Sequence, residues 1–260
     1  MNIISDNHSL AGKRGLEVGI ANDSSIAWGC AQAYRTAGAE LAVTWLNEKA
    51  RPRVEPLTQA VQARIALPLD IRDPAQLDVL FAAIAQRWGR LDFLLHAVAY
   101  APSVDLHGRL TDSSVEGFLQ AMDISCHSFV RLARKAELLM QVGGSLVTLS
   151  YLGAEEAIAN YGLMGPVKAA LESVVRYLAV ELGPRGIRVN AISLGPLATR
   201  AASGLAGFDR LLTDSEQRAP LHGGVSIGDV GALGAFLAGD GARVITGDTL
   251  YVDAGMHILN

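Results

Sequence analysis

Two hydrophobic periods take turns along this chain. Short runs of Val, Leu, Ile and Ala are followed, again and again, by stretches whose apolar residues recur at three- and four-residue spacing. The first pattern predicts strands and the second predicts amphipathic helices. Residues 14–20 (RGLEVGI) form the first predicted strand, and residues 25–38 the helix behind it, closed by Gly38. Residues 39–45 and 64–70 predict the second and third strands, with a helix over roughly 48–62 between them. Asp73 followed by Pro74 reads as an N-cap with proline in the first helical position, opening a helix that runs to Trp88. A fourth strand over 91–99, a long helix over 114–140, a fifth strand over 144–150 and a second long helix over 161–182 come next. The sixth strand, 186–193, leads into a Gly/Ala-rich stretch, 194–208, and a short helix near 209–217. A helix over 227–237 and a last strand over 248–255 complete the chain.

Strand and helix alternating throughout imply βαβ units and a parallel sheet. The expected fold is one α/β domain over residues 1–260: a doubly wound, Rossmann-type seven-stranded parallel sheet with helices on both faces. Residues 1–10 are expected to be flexible, and 194–217 to form a substrate-binding loop and helix that order over bound ligand.

Composition changes this picture little. A mean hydropathy of +0.26 with 18% charged residues suits a sheet covered on both faces. The apolar runs break well short of the ~18–20 residues that cross a bilayer, so no membrane span is expected. A net charge of −4 argues against a nucleic-acid partner, because phosphate binding needs a basic face. The N-terminal residues show no secretory pattern, and Cys30 and Cys126 share no metal-like spacing. Buried free thiols, no metal site and a cytoplasmic location are the corresponding expectations.

In a sheet of this kind ligands bind beyond the carboxyl ends of the strands. The turn after the first strand, VGIANDSSIAWG, has Gly19 for a tight turn and a small Ala21 where a pyrophosphate could approach. Ser24 and Ser25 stand at the helix start, where they could help hold phosphate or could simply cap the helix. Glu17 is out of place in a central strand, since a buried carboxylate is costly without a partner.

Five motifs occur in order: Gly19-x5-Ser25-x-Ala27, HAVAYAP after the fourth strand, SYLGAE after the fifth, Tyr161-x6-Lys168, and RVNAISLGPLATRAASG. Together they resemble the NADH-dependent bacterial enoyl-acyl-carrier-protein reductases, a divergent branch of the short-chain dehydrogenase/reductase superfamily. The resemblance runs from about Leu10 to the end of the chain. It implies reduction of the trans-2 double bond of an enoyl thioester in fatty-acid elongation, with Tyr161 stabilising the enolate and Lys168 holding the nicotinamide ribose. Tyr151 becomes a second substrate contact. By the same resemblance Gly19, Ala21, Ser25, Ile26, Asp70, Ile71, Val98, Ala99, Leu197 and Thr199 bind the dinucleotide, with Asp70 and Ile71 at the adenine. Ala101 and Met164 face the acyl chain, the carrier is acyl carrier protein, and the assembly is a homotetramer. His96 is read as structural.

Seven residues of α-helix make about two turns and ~10.5 Å, which would bring Tyr161 and Lys168 to one face. Pro166, placed inside such a helix, would remove a hydrogen bond and loosen its first turn. Leu46 stands where NADH users of this type often carry glutamine, while Lys49, Arg51 and Arg53 could meet a 2′-phosphate; NADH is expected over NADPH. The alternatives are a related short-chain reductase of 3-oxoacyl or enoyl-CoA substrates, or a non-catalytic dinucleotide-binding protein.

Overall fold

A computed structural model describes residues 9–199 and 208–259. Seven strands form one parallel sheet in the order β3-β2-β1-β4-β5-β6-β7. They are β1 (Arg14–Val18), β2 (Glu40–Trp45), β3 (Ile65–Pro68), β4 (Phe93–His96), β5 (Gly144–Tyr151), β6 (Ile187–Leu194) and β7 (Thr249–Val252). Between them run α1 (Ile26–Thr36), α2 (Arg51–Ala60), α3 (Pro74–Trp88), α4 (Ser103–Leu106), α5 (Val115–Met122), α6 (Ser128–Ala136) and α7 (Met164–Leu182). Helices α8 (Phe208–Arg218) and α9 (Ile227–Ala238) lie between β6 and β7.

Alternate strand residues fill two separate apolar clusters, as the two-residue period of a strand requires. Leu16, Val18, Leu94, Leu146 and Val189 pack with residues of α3, α5, α6 and α7. Leu41, Val43, Phe93, Leu95, Val147 and Ile192 pack with residues of α1 and α9 on the opposite face. Gly29 and Gly231 let α1 and α9 cross almost backbone to backbone; a Cβ on either would overlap a main-chain carbonyl of the other helix. Asp73 caps α3 as expected, accepting from Ala75 N and Gln76 N, and Pro74 takes the first helical position.

Three expectations need correction. The long helix over 114–140 is two helices, α5 and α6, joined by a π turn over Asp123–His127. A second long helix begins at Met164 and not at Tyr161. Pro166 is therefore a first-turn residue, whose missing N–H would have had no intrahelical partner, so no helical bond is lost. The chain before it is a run of turns, with Asn160 and Gly162 at positive φ (61° and 31°). Lastly, Leu10 is fully buried and its N–H bonds to Ala37 O at 2.8 Å, so the order begins earlier than expected. Residues 1–8 of the expected flexible N-terminus, and 200–207 of the expected substrate loop, lie outside the described residues.

Glu17 falls on the α1 face of the sheet, between Val43 and Leu95 on the neighbouring strands and beside Cys30 and Tyr34. It is fully buried, and among the described residues neither carboxyl oxygen has a hydrogen-bond partner. Burial raises its pKa well above the usual carboxylate value, so it is held toward the neutral acid. The folded state then binds a proton that the unfolded state releases, and stability declines as pH rises above the unfolded pKa. Glu17→Leu should stabilise the protein by about 1–3 kcal/mol at neutral pH. Thermal unfolding of both proteins across pH 5 to 9 measures this, and the gap should widen toward alkaline pH. A variant that melts lower than wild type at high pH would show that the carboxyl has a stabilising partner.

Candidate active site

The strand order reverses between β1 and β4, and the residues expected at the site gather beyond the carboxyl ends of the central strands. Gly19 (φ 115°) ends β1 where β4 passes so closely that a Cβ would overlap the Ala97 carbonyl. This close approach of two strands accounts for the glycine before any ligand is considered. The loop beyond it is held from within. Ser25 Oγ accepts from Ala21 N (3.1 Å) and Asn22 N (3.0 Å) and donates to Asn22 Oδ1 (3.1 Å). Asn22 Oδ1 also accepts from Ser24 N at 3.1 Å. Ser25 occupies the N-cap place of α1 but makes no side-chain cap, so the capping reading does not hold for it. Its hydroxyl shapes the loop, and the first amides of α1 are left uncapped by it. A glycine that admits a close neighbour and a helix start free of its own cap suit a dinucleotide pyrophosphate.

Beyond β3, Asp70, expected at the adenine, is fastened by Arg72 through Nε (3.0 Å) and Nη2 (2.6 Å), which lowers its pKa. Ile71 beside it is buried. Val98 is half-buried and Ala99 exposed after β4, and Leu197 and Thr199 are buried after β6. Val98, Ala101 and Tyr161 all pack against the cluster that contains Met164. Ile26 and Leu197 belong to the cluster on the other face, so the expected cofactor residues straddle the sheet's rim.

Tyr151 ends β5 and Tyr161 lies in the turns before α7, with ring centroids 4.8 Å apart and planes inclined at 62°. Gly153 makes this edge-to-face pair possible: a Cβ there would overlap the Tyr161 ring and press on Tyr151. Burial pushes the Tyr151 phenol up to about 12 and Tyr161 higher still, so both keep their protons at neutral pH. Lys168 is buried in the second turn of α7 and donates from Nζ to Leu149 O of β5 at 2.8 Å. Burial brings its pKa down to about 8, against the opposing influence of Cys126 and Glu172. Tyr161 and Lys168 thus lie on different segments, Tyr161 in the turns before α7 and Lys168 in its second turn, so they do not share a helix face.

Sequence reasoning passed over several neighbours. Glu172, one turn beyond Lys168, is buried and accepts a short hydrogen bond from Ser150 of β5. Cys126 sits in the π turn, and no spacing signal in the sequence marks that turn. His96 is structural as read: its ring nitrogens lie 2.8 Å from Thr148 Oγ1 and 2.8 Å from Ser128 Oγ. Burial, with the charges of Lys168 and Arg131, holds its pKa at about 3, so the ring is neutral. Among the described residues no group of three or more His, Cys, Asp or Glu could hold a metal ion, and no helix is long and apolar enough to cross a membrane.

Gly153→Ala tests the tyrosine pair. The added methyl must displace the Tyr161 ring, so turnover should fall roughly 10-fold or more, with melting temperature changed far less. Steady-state rates beside thermal unfolding separate the two effects.

The model of the family described as enoyl-(acyl carrier protein) reductase matches residues 19–257 of this chain. The NADH enoyl-[acyl-carrier-protein] reductase 1 of Rhizobium meliloti (strain 1021) is 48% identical over 246 residues, covering 95% of this chain and 90% of its own. The corresponding NADH reductase of Synechocystis (strain PCC 6803) is 47% identical, covering 96% of this chain and 98% of its own. Among solved structures, the Anaplasma phagocytophilum reductase in complex with NAD superposes with a TM-score of 0.94 at 45% identity, over 97% of this chain and 96% of its own.

Proposed function

The chain belongs to the enoyl-(acyl carrier protein) reductase family, and from that premise we propose that it reduces the trans-2 double bond of an enoyl thioester with NADH in fatty-acid elongation. The observation that carries the reading is the pair of protonated phenols, Tyr151 and Tyr161, packed over Gly153 at the rim where Lys168 is buried. NADH, when bound, would supply hydride to the substrate's β-carbon, leaving negative charge on the thioester oxygen as an enolate. Tyr161 donates its O–H to that oxygen, as an oxyanion-hole donor does, and its high pKa keeps the proton available. Tyr151 fixes the Tyr161 ring edge-on and makes the second substrate contact, while Ala101 and Met164 line the acyl chain.

Lys168 spends one N–H on Leu149 O, which leaves two for the ribose hydroxyls. Gly19, Ala21, Ser25 and Ile26 receive the pyrophosphate, Asp70 and Ile71 the adenine, Val98 and Ala99 the nicotinamide, and Leu197 and Thr199 its carboxamide and the phosphates. The cofactor is NADH rather than NADPH: Arg51, one of the cations that could meet a 2′-phosphate, is engaged by Glu48 and Glu55, both at 3.4 Å.

The acyl group arrives on acyl carrier protein in the cytoplasm. Arg210 of α8, 87% exposed and 3.7 Å from Asp214, is one cation available to that acidic partner. A homotetramer would cover Val115 and Leu119 of α5 and Tyr177 and Val180 of α7, which stand exposed in the single chain.

Loss of NADH absorbance on adding enoyl thioesters, with 3-oxoacyl thioesters as the contrast, tests the assignment directly. Tyr161→Phe should lower kcat about 10- to 100-fold with NADH affinity kept. Lys168→Ala should chiefly weaken NADH. Because the Lys168 ammonium is present below about pH 8 and lost above it, NADH binding to wild type should weaken as pH rises through that value. A flat binding profile from pH 6 to 10 would exclude this role for the lysine.

A further inference from the structure

We propose that Ser125 is a positioning residue for the wall of the substrate cleft, its single hydroxyl clamping both backbone groups of Tyr100 between the nicotinamide-side and acyl-side residues. This rests on the reading of the site as an enoyl reductase. Ser125 Oγ accepts from Tyr100 N at 2.8 Å and donates to Tyr100 O at 3.0 Å. Ser125 is fully buried, whereas the Tyr100 residue it holds is 46% exposed. Side-chain packing therefore contributes little to fixing the Tyr100 peptide, and the clamp is what sets it. Ala99 and Ala101 flank that peptide directly, so its orientation decides how both walls face the cleft.

The clamp is itself held at a defined height above β4. Ser125 belongs to the π turn between α5 and α6, and a π turn re-aims the side chains within it. The same turn is tied to the strand by His96. Ser128 Oγ donates to Ile124 O at 2.5 Å and so accepts from His96 Nε2–H, which leaves Nδ1 to accept from Thr148. β4 and the segment that leaves it thus carry both attachments: His96 at the strand's last residue fixes the turn, and four residues on, beyond the strand, Tyr100 receives the turn's serine. Both ties are between neutral groups.

Ser125→Ala in the full chain removes the clamp at Tyr100, a residue that is 46% exposed, and touches no core packing beyond one hydroxyl, so the fold should survive. Ser125→Cys keeps the volume but replaces the hydroxyl by a poor hydrogen-bonding group. In both variants the Tyr100 amide should exchange with solvent about 10-fold faster or more, with β4 and β5 amides unchanged. KM for crotonyl-coenzyme A should rise roughly threefold to tenfold, NADH affinity should stay within about twofold, and the KM effect should be the same from pH 6 to 9. Wild-type KM and wild-type exchange at Tyr100 in either variant would overturn the proposal, as would loss of protection across the whole sheet. If the wild-type protein turns over no enoyl thioester, the functional reading falls and the role of Ser125 falls with it. An active wild type with indifferent variants sinks the clamp alone.

Discussion

Just past β1 the chain passes the Ala97 carbonyl, immediately beyond β4, so closely that only a glycine fits, and the rest of the site is laid out from that contact. Two adjacent parallel strands whose connections leave in opposite directions open a crevice at their carboxyl ends. The Gly19 contact draws the first loop over that crevice, where Ser25 and Asn22 brace it from inside. On the other side of the same crevice, β4 runs out into Val98 and Ala99. The residues proposed for cofactor and substrate lie largely beyond the carboxyl ends of the strands of this one parallel sheet.

The polar groups in the interior divide by whether the fold supplies partners. His96 has a hydroxyl at each ring nitrogen, Lys168 a strand carbonyl and Glu172 a serine, each from a neighbouring strand or helix. These bonds cross between layers, so they also fix how α6 and α7 sit on the sheet, which orients what those helices present at the rim. Glu17 differs in kind. It lies on the face of α1, ringed by aliphatic strand neighbours, with no hydrogen-bond partner for either oxygen among the described residues. A group satisfied by both layers stiffens them together, whereas an unsatisfied one opposes folding even when neutral, and more so when charged.

Burial acts in opposite senses on the two kinds of group at the rim. It raises the pKa of the Tyr151 and Tyr161 phenols and so favours the neutral form each already has in water at neutral pH. The same burial lowers the pKa of Lys168 and works against its charge, which Cys126 and Glu172 partly restore. Desolvation therefore reinforces the protonation state of the phenols and weakens that of the lysine.

The seven strands, the cap at Asp73–Pro74 and the strand-end positions of Gly19, Val98 and Tyr151 were all legible from periodicity and turn residues, because strand alternation and helix capping are local properties. The family resemblance named the tyrosines and the lysine as well. The sequence could not reveal why Gly19 must be glycine, since the obstructing carbonyl belongs to a residue 78 positions later. Nor could it place Tyr161 outside α7, put Pro166 harmlessly in the first turn or show the π turn that aims Ser125 at Tyr100. Those outcomes depend on contacts between segments distant along the chain. Local pattern determines which element a residue joins; only the packing of one element on another decides what its side chain meets.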